Sequence, residues 1–155
     1  MKIIAIFTAL LITATCAQDG KRPTLYPFDV TIGGQKAVMQ EGNILFAVIE
    51  KPVKVDSLLE IEKEAPMIII NAFACKENGE VMAPGQQPAV ILANKAKSVK
   101  LNATMDKKPL KPGRYLANIV AHGGTSRVVF VVEDKSGKIK IPSIKDVVDF
   151  LKKKS

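Results

Sequence analysis

From Phe28 onward the chain alternates. In "FDVTI", Phe28, Val30 and Ile32 take every second place, and Gly33-Gly34 follow as a turn. Period-two alternation is the pattern of a strand with one buried face. "KAVM" continues that strand or pairs back on it. "NILFAVIE", Asn43 to Glu50, reads as a second strand between Gly42 and Pro52. "MIIINAFAC", Met67 to Cys75, is the most apolar run outside the N-terminus, and its Ile and Phe content predicts a strand buried on both faces. Asn78-Gly79 turns the chain after it. "AVIL" and "SVKLNATM" give further strands with a lysine-rich break between them, and "APGQQP" and "DKKPLKPG" are loops.

"VDSLLEIEKEAP" fits two patterns. Ser57 with Glu60 matches a capping box and Pro66 would stop a helix, which gives a helix over Leu58 to Ala65. A helix that short is marginal in water, so residues 57–65 lean to strand or turn.

"RYLANIVAHGGTSRVVFVVE" predicts a hairpin about Gly123-Gly124, because glycine tolerates the positive φ of tight turns. One side collects Tyr115, Ala117, Ile119 and Ala121 with Val128, Phe130 and Val132. The other collects Arg114, Leu116, Asn118, Val120 and His122 with Arg127, Val129, Val131 and Glu133. The first set is apolar and predicts a core face; the second predicts a largely solvated face with His122 at its rim.

"LKPGRYLANIVA" resembles the start of strand F in immunoglobulin-like and fibronectin type III-like β-sandwiches, with Leu110, Gly113 and Tyr115 in the places of the tyrosine corner. The resemblance implies an antiparallel immunoglobulin-like sandwich in which the Tyr115 ring packs inward and its hydroxyl bonds upstream backbone. It covers about the last third of the domain. Ala117 stands where antibody domains carry a cysteine, and the chain has no tryptophan, so Phe73 is the candidate to fill that space.

Beyond Glu133, "KIKIP" alternates as one more strand. "SIKDVVDFLKKK" then predicts a short C-terminal helix over 144–153: Ser143 caps it, and Ile144, Val147, Val148 and Leu151 form one apolar stripe. Lys152, Lys153 and Lys154 suit its negative end. Such a helix packs on its own sheet, or serves a membrane surface or a partner groove.

The N-terminus predicts export. Lys2 precedes the apolar run "IIAIFTALLITA", and Thr15-Cys16-Ala17 offers a cleavage site, so residues 1–17 read as a signal peptide. A lipid anchor through Cys16 is the minority reading, since Thr15 fits a lipobox poorly. Residues 18–27 read as a flexible leader and 28–155 as a single β-sandwich domain. The location expected is periplasmic or secreted. With Cys16 removed, Cys75 is the only thiol, so no internal disulfide can form.

Charge divides the chain. Residues 18–94 hold 7 Lys/Arg against 10 Asp/Glu, whereas 95–155 hold 15 against 5. The basic half could meet an anionic cell-envelope surface or another protein, or could serve solubility and the blunting of strand edges. Export and the lack of aromatics among the lysines argue against nucleic acid. No second apolar stretch is long enough for a transmembrane helix in the mature chain.

Candidate chemistry is sparse. His122 with Ser126 lacks the acid, the oxyanion hole and the elbow of a triad. Cys75 with His122 is the sharper enzymatic alternative, a small thiol-dependent enzyme, because an imidazolium can lower a cysteine pKa. A soft-metal-binding periplasmic protein would draw on Cys75, His122, Met39, Met67, Met82 and Met105, which show no ligand spacing. The expectation is therefore an all-β, exported, non-catalytic binding or assembly module, with no catalytic, cofactor or metal residue assigned.

Overall fold

The computed structural model describes residues 25–39, 46–76 and 80–134. The signal peptide, the loop with Asn78-Gly79, the "KIKIP" strand and the helix over 144–153 lie outside the described residues.

Every element described is a strand: β1 (Val30–Ile32), β2 (Gln35–Lys36), β3 (Ala47–Val48), β4 (Leu58–Ala74), β5 (Ala89–Lys100), β6 (Gly113–Ala121) and β7 (Gly124–Val132). The all-β class holds. The strands form one sheet in the order β2-β1-β4-β6-β7-β3, with β5 on the other edge of β4. The sheet is mixed and not wholly antiparallel as expected, because β3 runs parallel to β7.

The sheet curls until its two ends meet. Val38, just after β2, exchanges backbone hydrogen bonds of 2.9 and 3.0 Å with Val48 of β3. The Gln35 side chain brackets Lys51 in the same way, accepting from its N–H at 3.0 Å and donating to its carbonyl at 3.2 Å. Both ends of the path would otherwise carry unpaired backbone, and closure satisfies it. One apolar interior results. Val30, Ile32, Leu59, Ile61, Ile68, Ile70, Ile91, Ile119 and Phe130 are buried within it.

Of residues 57–65, Leu58 to Ala65 are strand, not helix, and Ser57 ends the turn before it. They continue through Pro66 into the apolar run, so β4 spans 17 residues. Its first half pairs with β1 and its second with β6, while β5 follows its opposite edge. The "MIIINAFAC" run is buried on one face only. Ile68, Ile70 and Ala72 point inward, and Met67, Ile69, Asn71 and Phe73 keep solvent contact. The lysine-rich break also disappears, because Ala89 to Lys100 is one strand and "LNATM" belongs to the turn after it.

The hairpin holds with a shift. β6 and β7 pair from Gly113↔Val132 to Ala121↔Gly124, so the two turn residues are His122 and Gly123. Their φ values are 51° and 74°, as a tight I′ turn demands. The second glycine answers to packing instead, since a Cβ on Gly124 would stand 2.8 Å from Cγ of Pro27. The predicted core face is borne out, with Tyr115, Ala117, Ile119, Ala121, Val128, Phe130 and Val132 all buried. The opposite face departs from expectation, because Val129 and Val131 are buried too.

The Tyr115 hydroxyl donates to the Lys111 carbonyl at 2.8 Å, and its ring stacks on Phe130 at 5.7 Å. This is the inward ring and upstream bond expected of it. The leader expected over 18–27 gives way to packed chain by residue 25. Arg127 N–H bonds the Leu25 carbonyl at 2.9 Å, and Tyr26 is buried with its hydroxyl donating to the Ala37 carbonyl at 3.2 Å. Tyrosine supplies apolar bulk and one polar tip, which makes it core and not leader here.

The two turn glycines should fail for separate reasons. Gly123→Ala meets open space but a left-handed backbone, and should cost about 1–2 kcal/mol. Gly124→Ala meets the Pro27 ring, and should cost about 1–3 kcal/mol through overpacking. Urea melts would show both losses, and Pro27→Ala should recover stability in the Gly124→Ala chain alone.

Candidate functional site

His122, Ser126 and Cys75 are the residues on which chemistry was weighed, and each has a structural employment. Ser126 is buried on the inner face. Its Oγ donates to the Phe28 carbonyl at 2.9 Å and accepts from the Phe28 N–H at 3.4 Å. It ties the leading segment to β7 and is no free nucleophile. The exposed His122 follows β6, and its Nε2–H donates to the Lys63 carbonyl at 3.2 Å. That carbonyl belongs to a bulge, where β4 breaks register between Glu60↔Ser98 and Ala65↔Ala96. The imidazole also meets the edge of the Phe28 ring at 6.1 Å.

Cys75 lies at the other end of β6. Its N–H bonds the Arg114 carbonyl at 2.9 Å. Arg114 and His122 are eight residues apart along the extended chain, roughly 26 Å at the rise of a strand. The structure does not bring the thiol and the imidazole together. Burial also pushes the Cys75 thiol up to about 11, against a smaller opposite pull from Arg114. A thiolate nucleophile needs the reverse shift.

The methionines are dispersed over the fold. Met39 is half-buried against the interior, and Met82 bonds its N–H to the Ala74 carbonyl at 3.0 Å. Met67 stands on β4, and Met105 bonds its N–H to the Val90 carbonyl at 2.8 Å. Among the described residues no group of three His, Cys, Asp or Glu side chains is placed to hold a metal ion.

The outer face of the sheet carries more information. Register aligns Leu92, Ile69, Val120 and Thr125 across β5, β4, β6 and β7, and Val90, Asn71, Asn118 and Arg127 in the next row. The row after holds Phe73, Leu116 and Val129. A polar row thus lies between two largely apolar ones. Asn118 Oδ1 is out of water and without a hydrogen-bond partner among the described residues. At the β5 edge the apolar surface reaches solvent: Met67 is 46% exposed, Leu92 40% and Met105 65%. Thr104 pairs with Ile91 and is buried, so alternation turns Met105 to the outer side beside Val90. Nearby, Lys95, Lys97, Lys100, Lys107, Lys108 and Lys111 are all exposed.

The chain matches no protein-family model, no curated protein and no solved structure. No helix among the described residues is long and apolar enough to cross a membrane. An open cleft of about 790 Å³ lies at the end of the sheet near Leu110, with Val55, Pro109 and Val132 as apolar walls and Lys54 and Glu133 at the rim. Asp56 and Asp134 also line it.

The outer strip was only half legible in the sequence. Met67 opens a run that reads as buried on both faces, and Leu92 sits in "AVIL", which reads only as a strand. Only the pairing of β4 with β5 shows which half of each run turns outward.

Burial also sets a pH response. Cys75 ionises near 9.0 when unfolded and near 11 when folded. Its contribution is therefore full below pH 9 and fades as pH rises toward 11. Burial pushes the Tyr115 phenol in the same direction. Thermal melts should show falling stability across that window, with Cys75→Ala removing part of the slope. In the folded chain iodoacetamide should leave Cys75 untouched at neutral pH, and denaturant should release it.

Proposed function

We propose that this chain is an exported, single-domain, non-catalytic binding or assembly module whose partner is another protein. The carrying observation is the exposed strip of Met67, Leu92 and Met105, continued by half-buried Ile69 and Val90. Isolated apolar side chains on a surface are ordinary, but a contiguous patch marks an interaction site. Methionine suits such a patch because its unbranched side chain adapts to the opposing surface. Asn71, Asn118 and Arg127 alongside add donors and acceptors that fix register with a partner.

The separation of Cys75 from His122 and the raised thiol pKa support a non-catalytic role. The N-terminal pattern supports export, with release after Ala17. The bond from Tyr115 to Lys111 supports kinship with immunoglobulin-like sandwiches, and the stripe in 144–151 supports the C-terminal helix. A second reading, an anionic cell-envelope surface, is favoured by the exposed lysines between 95 and 111.

Two double variants separate these readings. Met67→Asp with Leu92→Asp should abolish capture of the partner from an envelope extract, while Cys75→Ala with His122→Ala leaves it intact. Binding to vesicles with anionic lipid that survives the aspartates and vanishes in high salt would favour the envelope surface instead. For export, N-terminal sequencing of the mature protein should begin at Gln18.

A further inference from the structure

The exposed apolar strip has cations at both ends and no carboxylate between them. The row of Asn94 and Met67, and the three rows after it as far as Phe73, Leu116 and Val129, hold no Asp or Glu. Their one ionic side chain is Arg127, opposite Asn118. Arg127 is half-buried, and no carboxylate of the described residues pairs with it. At the other end stands the turn after β5. Residues 92–111 carry six lysines against one carboxylate, Asp106. That carboxylate is spent on its own turn, where it accepts the Lys108 N–H at 3.0 Å. Lys97 has acids nearby, since it lines a small cleft with Glu60 and Glu62. Lys107 and Lys108 are exposed and follow Met105 across Asp106.

These positions say what a partner must bring. Arg127 lies three strands from β5, roughly 14 Å across the sheet. Leu92, Ile69 and Val120 line the interval. A guanidinium partly out of water gains a charge-assisted hydrogen bond from a carboxylate, and a group of exposed lysines draws anions. The complement is an apolar stretch with a carboxylate at each end. The polar row counts against a lipid surface, because acyl chains would bury the Asn71 and Asn118 amides without partners, whereas a polypeptide brings N–H and C=O groups to them. A second copy laid face to face would set cations against cations.

We propose that the outer face between Met105 and Arg127 takes an apolar segment of another protein flanked by acidic residues. Leucine-like side chains of that segment cover Met67, Ile69 and Leu92. Its carboxylates meet Arg127 at one end and Lys107 and Lys108 at the other. This rests on the protein-partner reading above and adds the chemistry of the partner.

Two labelled peptides test it by fluorescence anisotropy on the full chain. They share a leucine-rich centre, and one has glutamates at both ends where the other has lysines. The glutamate peptide should bind and weaken roughly tenfold from low to high salt. The lysine peptide should not bind. Met67→Asp with Leu92→Asp should abolish binding. Arg127→Glu, Lys107→Glu and Lys108→Glu together should reverse the preference, so that the lysine peptide binds instead. If that chain unfolds, the two exposed lysine substitutions alone should still weaken the glutamate peptide several-fold. Equal binding of the two peptides, or binding of neither, would overturn the acidic partner. The strip itself is judged apart: capture of a partner that Met67→Asp with Leu92→Asp abolishes, but that ignores the charge reversals, sinks the acidic partner alone. Capture that ignores the aspartates sinks the protein-partner reading as well. Uptake onto anionic vesicles, or dimerisation on sedimentation, that the aspartates remove would give the face to lipid or to a second copy and overturn the proposal.

Discussion

One strand serves two halves of the sheet, and the fold turns on how it bends. β4 gives its first half to β1 and its second to β6, with β5 along its far edge. A straight strand of that length would carry a flat sheet with two open ends. Between Glu60 and Ala65 the register with β5 breaks, and Ile61 to Glu64 oppose little more than Lys97. Extra residues on one side of a pair bend the strand and increase its twist. Lys95 on the partner strand takes a φ of 46° close by. The bend carries β1 and β2 around toward β3, where Val38 meets Val48. Without the bulge, the hydrogen bonds that close the sheet have no partners within reach.

The turns are arranged around that bend. His122 answers the Lys63 carbonyl that the bulge pushes out of the ladder, a group that would otherwise look to solvent alone. Phe28 packs against the same imidazole and is clamped by Ser126. Gly124 leaves room for Pro27 beside it. The stretch from His122 to Ser126, read in sequence as a hairpin turn and its rim despite its catalytic residue types, is thus also a joint. It locks the leading segment, the bulge and the β6–β7 hairpin together. Its histidine is spent on backbone and its serine on a buried pair of main-chain groups.

Much of this was legible where a residue's neighbours in sequence decide its fate. The hairpin, its inner face and the inward Tyr115 follow from alternation and turn chemistry alone. What was hidden depended on partners distant in sequence. Residues 57–65 carry both a capping box and a strand pattern, and pairing to β1 and β5 settles Leu58 to Ala65 as strand. Pro66 looks like a stop, yet it is tolerated at the end of the register break, where ladder bonds are already missing. The run from Met67 to Cys75 looks doubly buried, but only its inward residues meet the interior. The candidate strip is hardest to see, because Leu92 and Met67 differ from core residues by nothing except the face they occupy.

The two sides of the outer face show why side matters more than composition. Val129 and Val131 at its β7 end are as apolar as Leu92 and Met67 at its β5 end, yet the first pair is dry and the second is wet. Strand propensity and hydropathy treat the two pairs alike. The difference lies in where each strand stands in the sheet. β7 runs between β6 and β3, whereas β5 has β4 as its one strand neighbour among the described residues and is followed by a tight turn that bonds back to Lys100 and Val90. A side chain on a flanked strand is hemmed in by neighbours on both sides, and one at an edge keeps a side open to water. Position in the sheet, which no residue carries in its own sequence neighbourhood, therefore separates two pairs that composition treats as equals.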